Sequence, residues 1–283
     1  MKNLLALLLC SAFVATASAA FKTDIEYGSA GGESLRLDAY VPDGPGPFPA
    51  VILVHGGGWT GGDKSGGPKK GYMAPMHDTL GKAGFAWFSI NYRLAPKHPY
   101  PACIEDVEAA IRWVKAHASE YHVDPRRIAL SGESAGAHLV ALAVVRADAS
   151  TRVAAAVPFY GRFDLTEFQP GAPLTTNIAA LSGRKTFDDQ ARVVLTEASP
   201  LKRVKRGLPP FLLVHGMADA TVPFQQSVAL QQALQAAGVP CELIAVEGGV
   251  HGMISWDAKT SGYQSKVVDW LTKTLGKSDA PAR

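Results

Sequence analysis

The sequence predicts an α/β fold, a mostly parallel central sheet with helices on both faces. Three observations predict it. First, residues 50–54, 85–90, 128–130, 153–157, 211–214 and 242–246 form short, continuous apolar runs. Strands covered on both faces read this way, whereas half-solvated strands alternate. Second, helical patterns stand between these runs, at about 75–83, 104–118, 135–146, 224–237 and 261–275. Strands that alternate with helices build parallel sheets. Third, the run ending at Leu130 passes through Gly132-Glu133-Ser134-Ala135-Gly136 directly into an Ala- and Leu-rich helical stretch.

The elements follow in order. Residues 1–19 have the features of an export signal: Lys2, a short apolar core and the small-residue pair Ala17-x-Ala19. A lipoprotein signal on Cys10 is the alternative, disfavoured by the bulky Leu9 before it. The apolar stretch is too short to read as a spanning helix. The expected mature protein is therefore a single domain, residues 20–283, periplasmic or secreted. Residues 35–40 alternate and suggest an outer strand. Residues 60–72, rich in glycine and lysine, read as a surface loop. Residues 161–204 hold helix fragments, Pro and Gly without a strong strand, and read as an excursion over the sheet that walls a pocket. No repeat or long linker divides the chain.

Composition bounds the function. The 283 residues are 47% apolar and 19% charged, with a net charge of +3. That is enough chain for a substantial core. The charge is too mild to argue for nucleic acid or an anionic membrane as partner. After removal of the signal only Cys103 and Cys241 remain, and their positions favour two unpaired thiols.

In most sheets of this kind chemistry collects beyond the carboxyl ends of the strands. Three strand ends here carry chemical signals. His55-Gly56-Gly57-Gly58-Trp59 follows the first buried strand, and consecutive glycines let backbone N–H groups converge on an anion. Gly132–Gly136 places Ser134 on a sharp turn where small flanking residues are required, with the Ala135 N–H at the start of a helix. His215-Gly216-Met217-Ala218-Asp219 and Val250-His251-Gly252 follow the last two strands. A serine hydroxyl becomes nucleophilic when an imidazole takes its proton, and that imidazole needs a carboxylate behind it. Ser134, Asp219 and His251 stand in the chain order Ser-Asp-His.

The remaining histidines read otherwise. His77, His98, His117 and His122 are expected in solvent. His55 and His215 are expected to hydrogen-bond to backbone, and His138 to be non-catalytic. Asp164 follows a strand too, but Asp219 sits one strand–helix unit before His251. No side-chain set has metal-ligand spacing, and the expected chemistry needs no cofactor.

Together His55–Trp59, Asn91-Tyr92-Arg93-Leu94-Ala95-Pro96, Gly132–Gly136, Ala198-Ser199-Pro200 and His215–Asp219 resemble the secreted bacterial esterases of the α/β-hydrolase superfamily. The chain is similar to hormone-sensitive-lipase-like esterases and more closely to the feruloyl/acetylxylan esterase-like group. The resemblance implies an α/β-hydrolase fold with Ser134 as nucleophile, His251 as general base and Asp219 as its orienting carboxylate. It implies an oxyanion hole from the N–H groups of Gly57, Gly58 and Ala135. It further implies a small-molecule or polysaccharide-linked ester as substrate. Two departures are visible: Met217 replaces an Asp common in such proteins, and no large N-terminal cap precedes the first buried strand. A serine peptidase, a small-amide hydrolase and a non-catalytic binding module are alternative readings of the same fold.

Overall fold

The computed structural model describes residues 16–17, 19–65, 73–256 and 262–276. An eight-stranded sheet organises them. Its strands are β1 (Ala20–Ala30), β2 (Glu33–Val41), β3 (Phe48–Val54), β4 (Ala86–Ile90), β5 (Val123–Glu133), β6 (Ala155–Phe159), β7 (Phe211–Gly216) and β8 (Cys241–Val246). They lie in the order β8-β7-β6-β5-β3-β4-β2-β1. β1 and β2, and β2 and β4, pair antiparallel; every other neighbouring pair is parallel. The expected export signal lies almost wholly outside the described residues; its residues 16–17 form a separate two-residue pairing with 44–45.

The continuous apolar runs have a direct explanation. Along β3, Ala50, Ile52 and Val54 enter one core cluster while Val51 and Leu53 enter the other. Along β7, Phe211 and Leu213 face the first cluster and Leu212 and Val214 the second. With both faces covered, neither set of alternating positions is free to be polar.

The second cluster is completed by helices α1 (Ala74–Lys82) and, from the C-terminus, Tyr263–Leu275. The first is completed by α2 (Ala102–Ala116), α3 (Ala135–Arg146) and the helix Gln225–Ala236. α3 is buried from Ala135 to Val145, which explains its apolar character on every side.

The excursion between β6 and β7 contains α4 (Thr176–Ser182), α5 (Asp189–Glu197) and a single 3₁₀ turn, Pro200–Arg203. The two helices named before are thus α6 (Gln225–Ala236) and α7 (Tyr263–Leu275). Phe163, Leu165, Ile178, Leu181 and Leu195 fasten this excursion to the first cluster. Asp188 caps α5 by accepting the Ala191 N–H at 2.7 Å.

Several expectations change. β1 carries little apolar alternation because it is a largely exposed edge strand with two register shifts. The 60–72 stretch is not wholly a surface loop: Lys64 is buried, with its ammonium 2.8 Å from Asp38 and 2.9 Å from Asp24. Its Gly66–Tyr72 part lies outside the described residues. The four histidines expected in solvent are half-buried. His77 stacks on Trp87, His117 stacks on Trp113, and His98 meets Glu33 at 3.1 Å. Cys103 and Cys241 are both free. Among the described residues no helix is long and apolar enough to cross a membrane.

One contact governs how β3, β5 and α3 meet. A Cβ on Gly136 would stand 2.1 Å from the Val54 carbonyl oxygen and 2.5 Å from that of His55. Both neighbours are main chain and cannot swing aside. We therefore expect Gly136→Ala to cost at least the roughly 1–3 kcal/mol typical of overpacking. Urea unfolding measures it; a loss within about 0.5 kcal/mol, the range of neutral surface changes, would contradict this tight junction.

Candidate active site

Ser134 joins β5 to α3 with φ +52° and ψ −115°, a backbone conformation unusual for a residue with a side chain. Such conformations cost on the order of 1–3 kcal/mol and persist where surroundings enforce them. Here β5 is held between β3 and β6, and the Ser134 N–H donates to the Phe159 carbonyl at 3.0 Å.

The structure brings Ser134, His251 and Asp219 together. His251 Nε2 lies 3.0 Å from Ser134 Oγ, and His251 Nδ1 lies 2.7 Å from Asp219 Oδ2. The Asp219 carboxylate is fully buried. Its other oxygen accepts the N–H groups of Thr221 and Val222 at 2.8 and 2.9 Å. A carboxylate held this way only accepts, so the proton of a neutral His251 sits on Nδ1. Nε2 is then free to accept the Ser134 hydroxyl. The loop bearing His251 is clamped from two sides. Tyr160 packs edge-on against its ring at 4.9 Å and accepts the Met253 N–H at 3.1 Å. Trp256 Nε1 donates to the Val250 carbonyl at 2.8 Å.

Asp164 stands elsewhere. It pairs with Lys202 at 2.7 Å and accepts from Thr166. His215 keeps its expected backbone partner, donating from Nε2 to the Val222 carbonyl at 3.0 Å. Its Nδ1 accepts the Ser227 hydroxyl at 2.8 Å, and burial lowers its pKa.

Gly57 and Gly58 adopt φ of +100° and +61°. Among the described residues their N–H groups meet no protein acceptor. Ala135 opens α3, so its N–H has no partner within the helix. These are the three amides expected to face an oxyanion. The loop carrying the glycines is braced along its length. Tyr92 donates its hydroxyl proton to the His55 carbonyl at 3.1 Å, and the Ala95 N–H donates to the Trp59 carbonyl at 2.9 Å. Arg93, between them, forks onto Asp106. The 91–96 motif is thus a buttress for the glycine loop.

His138 is the hub of a second brace. Its Nδ1 accepts Trp59 Nε1–H at 3.1 Å, and its Nε2 donates to the Ala198 carbonyl at 2.6 Å. Burial lowers its pKa to about 4, so the ring is neutral. It ties the glycine loop, α3 and the excursion together. In the neighbouring 198–200 motif, Ser199 accepts the Leu165 N–H and donates to the Leu195 carbonyl.

Sequence reasoning overlooked Glu133. It is 2% exposed, and its Oε1 accepts the Gly56 N–H at 2.6 Å. Burial pushes its carboxyl up to about 7, while the Gly56 N–H and the Tyr160 hydroxyl pull it down. An acid in the middle of the Gly-x-Ser-x-Gly turn, at the buried end of a strand, was the available signal.

A cleft of about 240 Å³ opens beside Ser134. Gly58 and Ala135 line its floor, and Arg162, Asn177 and Ile178 of the excursion form a wall. Among the described residues no three His, Cys, Asp or Glu side chains gather to hold a metal ion.

The BD-FAE family model matches residues 37–234, from β2 into α6. The chain belongs to the BD-FAE family. The matched span contains Ser134 and Asp219, whereas His251 lies beyond it and joins them through the fold. Among relatives of this BD-FAE chain, a probable carboxylic ester hydrolase, LipM of Mycobacterium tuberculosis, is 37% identical over 72% of the chain and 49% of its own length. Esterase LipQ of the same organism is 37% identical over 78% of the chain and 54% of its own length. The chain thus spans about half the length of these curated relatives. Among solved structures, a truncated carbohydrate esterase from gut microbiota superposes with a TM-score of 0.78 at 28% identity, covering 94% of this chain and 99% of that one. Thermogutta terrifontis esterase 2 phosphonylated by sarin gives 0.75 at 27% identity, covering 93% and 97%.

Glu133 makes stability depend on pH. An unfolded glutamate titrates near 4.3, whereas the folded Glu133 titrates at about 7. The raised value favours the fold fully below the unfolded pKa, and that contribution is lost as pH rises to the folded one. Glutamine suffers no such loss. The stability of Glu133→Gln relative to the parent should therefore rise by up to about 3 kcal/mol between roughly pH 4 and pH 8. Denaturant unfolding of both proteins across that range checks it; a pH-independent difference would refute it.

Proposed function

We propose that this BD-FAE chain is an exported serine carboxylic-ester hydrolase acting on short-chain acyl, acetyl-sugar or feruloyl esters. The observation that carries the reading is the line from Asp219 through His251 to Ser134, with distances of 2.7 and 3.0 Å, ending on a strained turn. The esterases among its relatives and structural neighbours support it.

Each residue then has a role. Ser134 Oγ attacks the ester carbonyl as His251 Nε2 takes its proton. The N–H groups of Gly57, Gly58 and Ala135 meet the oxyanion; preorganised donors of this kind are often the largest single contribution to such catalysis. His251 returns the proton to the leaving alcohol, leaving an acyl-Ser134. Water, deprotonated by His251, releases the acid. Asp219 holds Nδ1–H and stabilises the imidazolium. A small cleft favours short acyl groups, since each buried methylene of a longer chain would need apolar wall to gain its roughly 0.8 kcal/mol.

A hydrolysis panel tests the reading. Acetyl and butyryl esters should show higher kcat/KM than acyl chains of about ten carbons, and Ser134→Ala should abolish turnover by several orders of magnitude. Efficiency that climbs steadily with chain length would replace the short-acyl reading with a lipase. Near-normal turnover by folded Ser134→Ala would remove Ser134 as nucleophile.

The choice of carboxylate has its own test. Asp219→Asn should lower kcat about ten-thousandfold through loss of the correct histidine tautomer. Asp164→Asn, which breaks only a contact to Lys202, should cost far less. The reverse ranking would show that the wrong carboxylate was assigned.

A further inference from the structure

Arg162 is the only charged side chain among the described residues that line the cleft beside Ser134. It is half-buried, yet among the described residues it makes no ion pair or hydrogen bond. The other half-buried arginines of the described chain are all engaged. Arg93 grips Asp106, Arg146 meets Glu108, and Arg184 meets Asp188. Arg127 donates to the Leu275 carbonyl and Arg203 to that of Glu197. A guanidinium partly withdrawn from water and given no partner carries a desolvation cost that a bound anion would relieve. Its nearest sequence neighbours do not relieve it: Asp164 is committed to Lys202, and Glu167 accepts from Gln226.

The other walls suit the same guest. Thr175, Asn177 and Thr221 line the cleft with hydrogen-bonding groups, and no acidic side chain lines it among the described residues. Arg162 follows directly on β6 and Gly161, which cannot gain a side chain: a Cβ there would stand 2.7 Å from the Phe163 ring and 2.8 Å from the Ala137 Cβ. The backbone that presents Arg162 is therefore rigidly seated. A guanidinium offers a planar fork of donors that matches a carboxylate.

We propose that Arg162 forms an anion subsite beside Ser134, selecting esters that carry a carboxylate within the same small molecule. This rests on the ester-hydrolase reading and narrows its substrate class. The carboxylate sits on the acyl part, as in a half-ester of a dicarboxylic acid, or on the alcohol part, as in an acylated acidic sugar; the chemistry recognised is the same.

Matched probes test it. On the acyl arm, para-nitrophenyl monoesters of glutaric and adipic acid are compared with the neutral pentanoate and hexanoate. On the alcohol arm, the acetyl ester of meta-hydroxybenzoate is compared with phenyl acetate. Each kcat/KM is divided by the hydroxide rate of the same ester. On at least one arm the acidic ester should win by about tenfold or more, as one charge-assisted contact allows. The winning arm locates the carboxylate. Arg162→Met should collapse that ratio, and Arg162→Lys should keep part of it. In the unaltered chain the ratio should fall as salt is raised, a measurement independent of how any variant folds. Equal or poorer use of the acidic ester on both arms, or a ratio unmoved by Arg162→Met, overturns the subsite. The two readings fail separately: hydrolysis of neither the neutral nor the acidic esters by the unaltered chain sinks the ester-hydrolase reading itself, whereas hydrolysis of the neutral esters with no preference for the acidic ones sinks only the subsite.

Discussion

The site depends on a close approach of main chain to main chain. Gly136, at the start of α3, lies against the carbonyls of Val54 and His55 at the end of β3. Gly132, at the end of β5, lies against the Gly136 and Val54 carbonyls, so a Cβ there would be 2.7 and 2.8 Å away. Two glycines therefore let one strand end, the neighbouring strand end and a helix start share a single point. The consequence is positional. The glycine loop that leaves β3 and the serine that leaves β5 can only emerge side by side, as the proposed oxyanion hole requires of its donors and of Ser134.

That junction is then held by polar groups that are buried and almost all satisfied. Glu133 reaches from the turn to the Gly56 N–H, Tyr92 holds the His55 carbonyl, and His138 bridges Trp59 to Ala198. Each contact runs between a different pair of elements, so the glycine loop is fixed from the sheet, from the 91–96 segment and from the excursion at once. Such networks reward full satisfaction and penalise a missing member. The neutral state of His138 fits its place: both ring nitrogens are used, one as acceptor and one as donor, and a second proton would leave Trp59 Nε1–H facing another donor. The network also explains why motifs far apart in sequence belong together. Residues 91–96 and 198–200 touch no reacting atom; they hold the residues that are proposed to.

How far the sequence revealed this follows from the physics of each part. Strands β3 to β7 were legible because a strand buried on both faces must be apolar throughout, and Ser134 because a sharp strand-to-helix turn demands glycines around it. β8 reads the same way although it is a half-exposed edge strand with only Val246 buried, because Leu243 and Ile244 still pack against the two clusters. β1 was not, because an exposed edge strand with two register shifts carries no alternation to read. Lys64 was misplaced because a glycine-rich stretch resembles a solvated loop, and only the fold shows Asp24 and Asp38 converging on it. Glu133 was overlooked because the motif fixes its neighbours and leaves its own position open. The pocket wall was legible as an excursion, but not Arg162, whose significance lies in lacking a partner that the other half-buried arginines have.

The two histidines that meet Asp219 show where sequence pattern ends and geometry begins. His215 lies near the end of β7 and His251 follows β8, and each is succeeded by glycine. Each also approaches the same carboxylate oxygen, Oδ2, at 3.3 and 2.7 Å. The difference lies in what remains available. His215 is fully buried, donates from Nε2 to the Val222 carbonyl and accepts from Ser227 on Nδ1, so both nitrogens are occupied. His251 gives only Nδ1 to Asp219 and turns Nε2 to Ser134. An imidazole relays a proton only if one nitrogen is anchored and the other is open to the reacting group. Asp219 meets the matching demand, since Thr221 and Val222 fix one oxygen and leave the other for the ring. The general-base role proposed for His251 thus rests on one ring nitrogen that no other protein group occupies, and the fold turns it to the Ser134 hydroxyl.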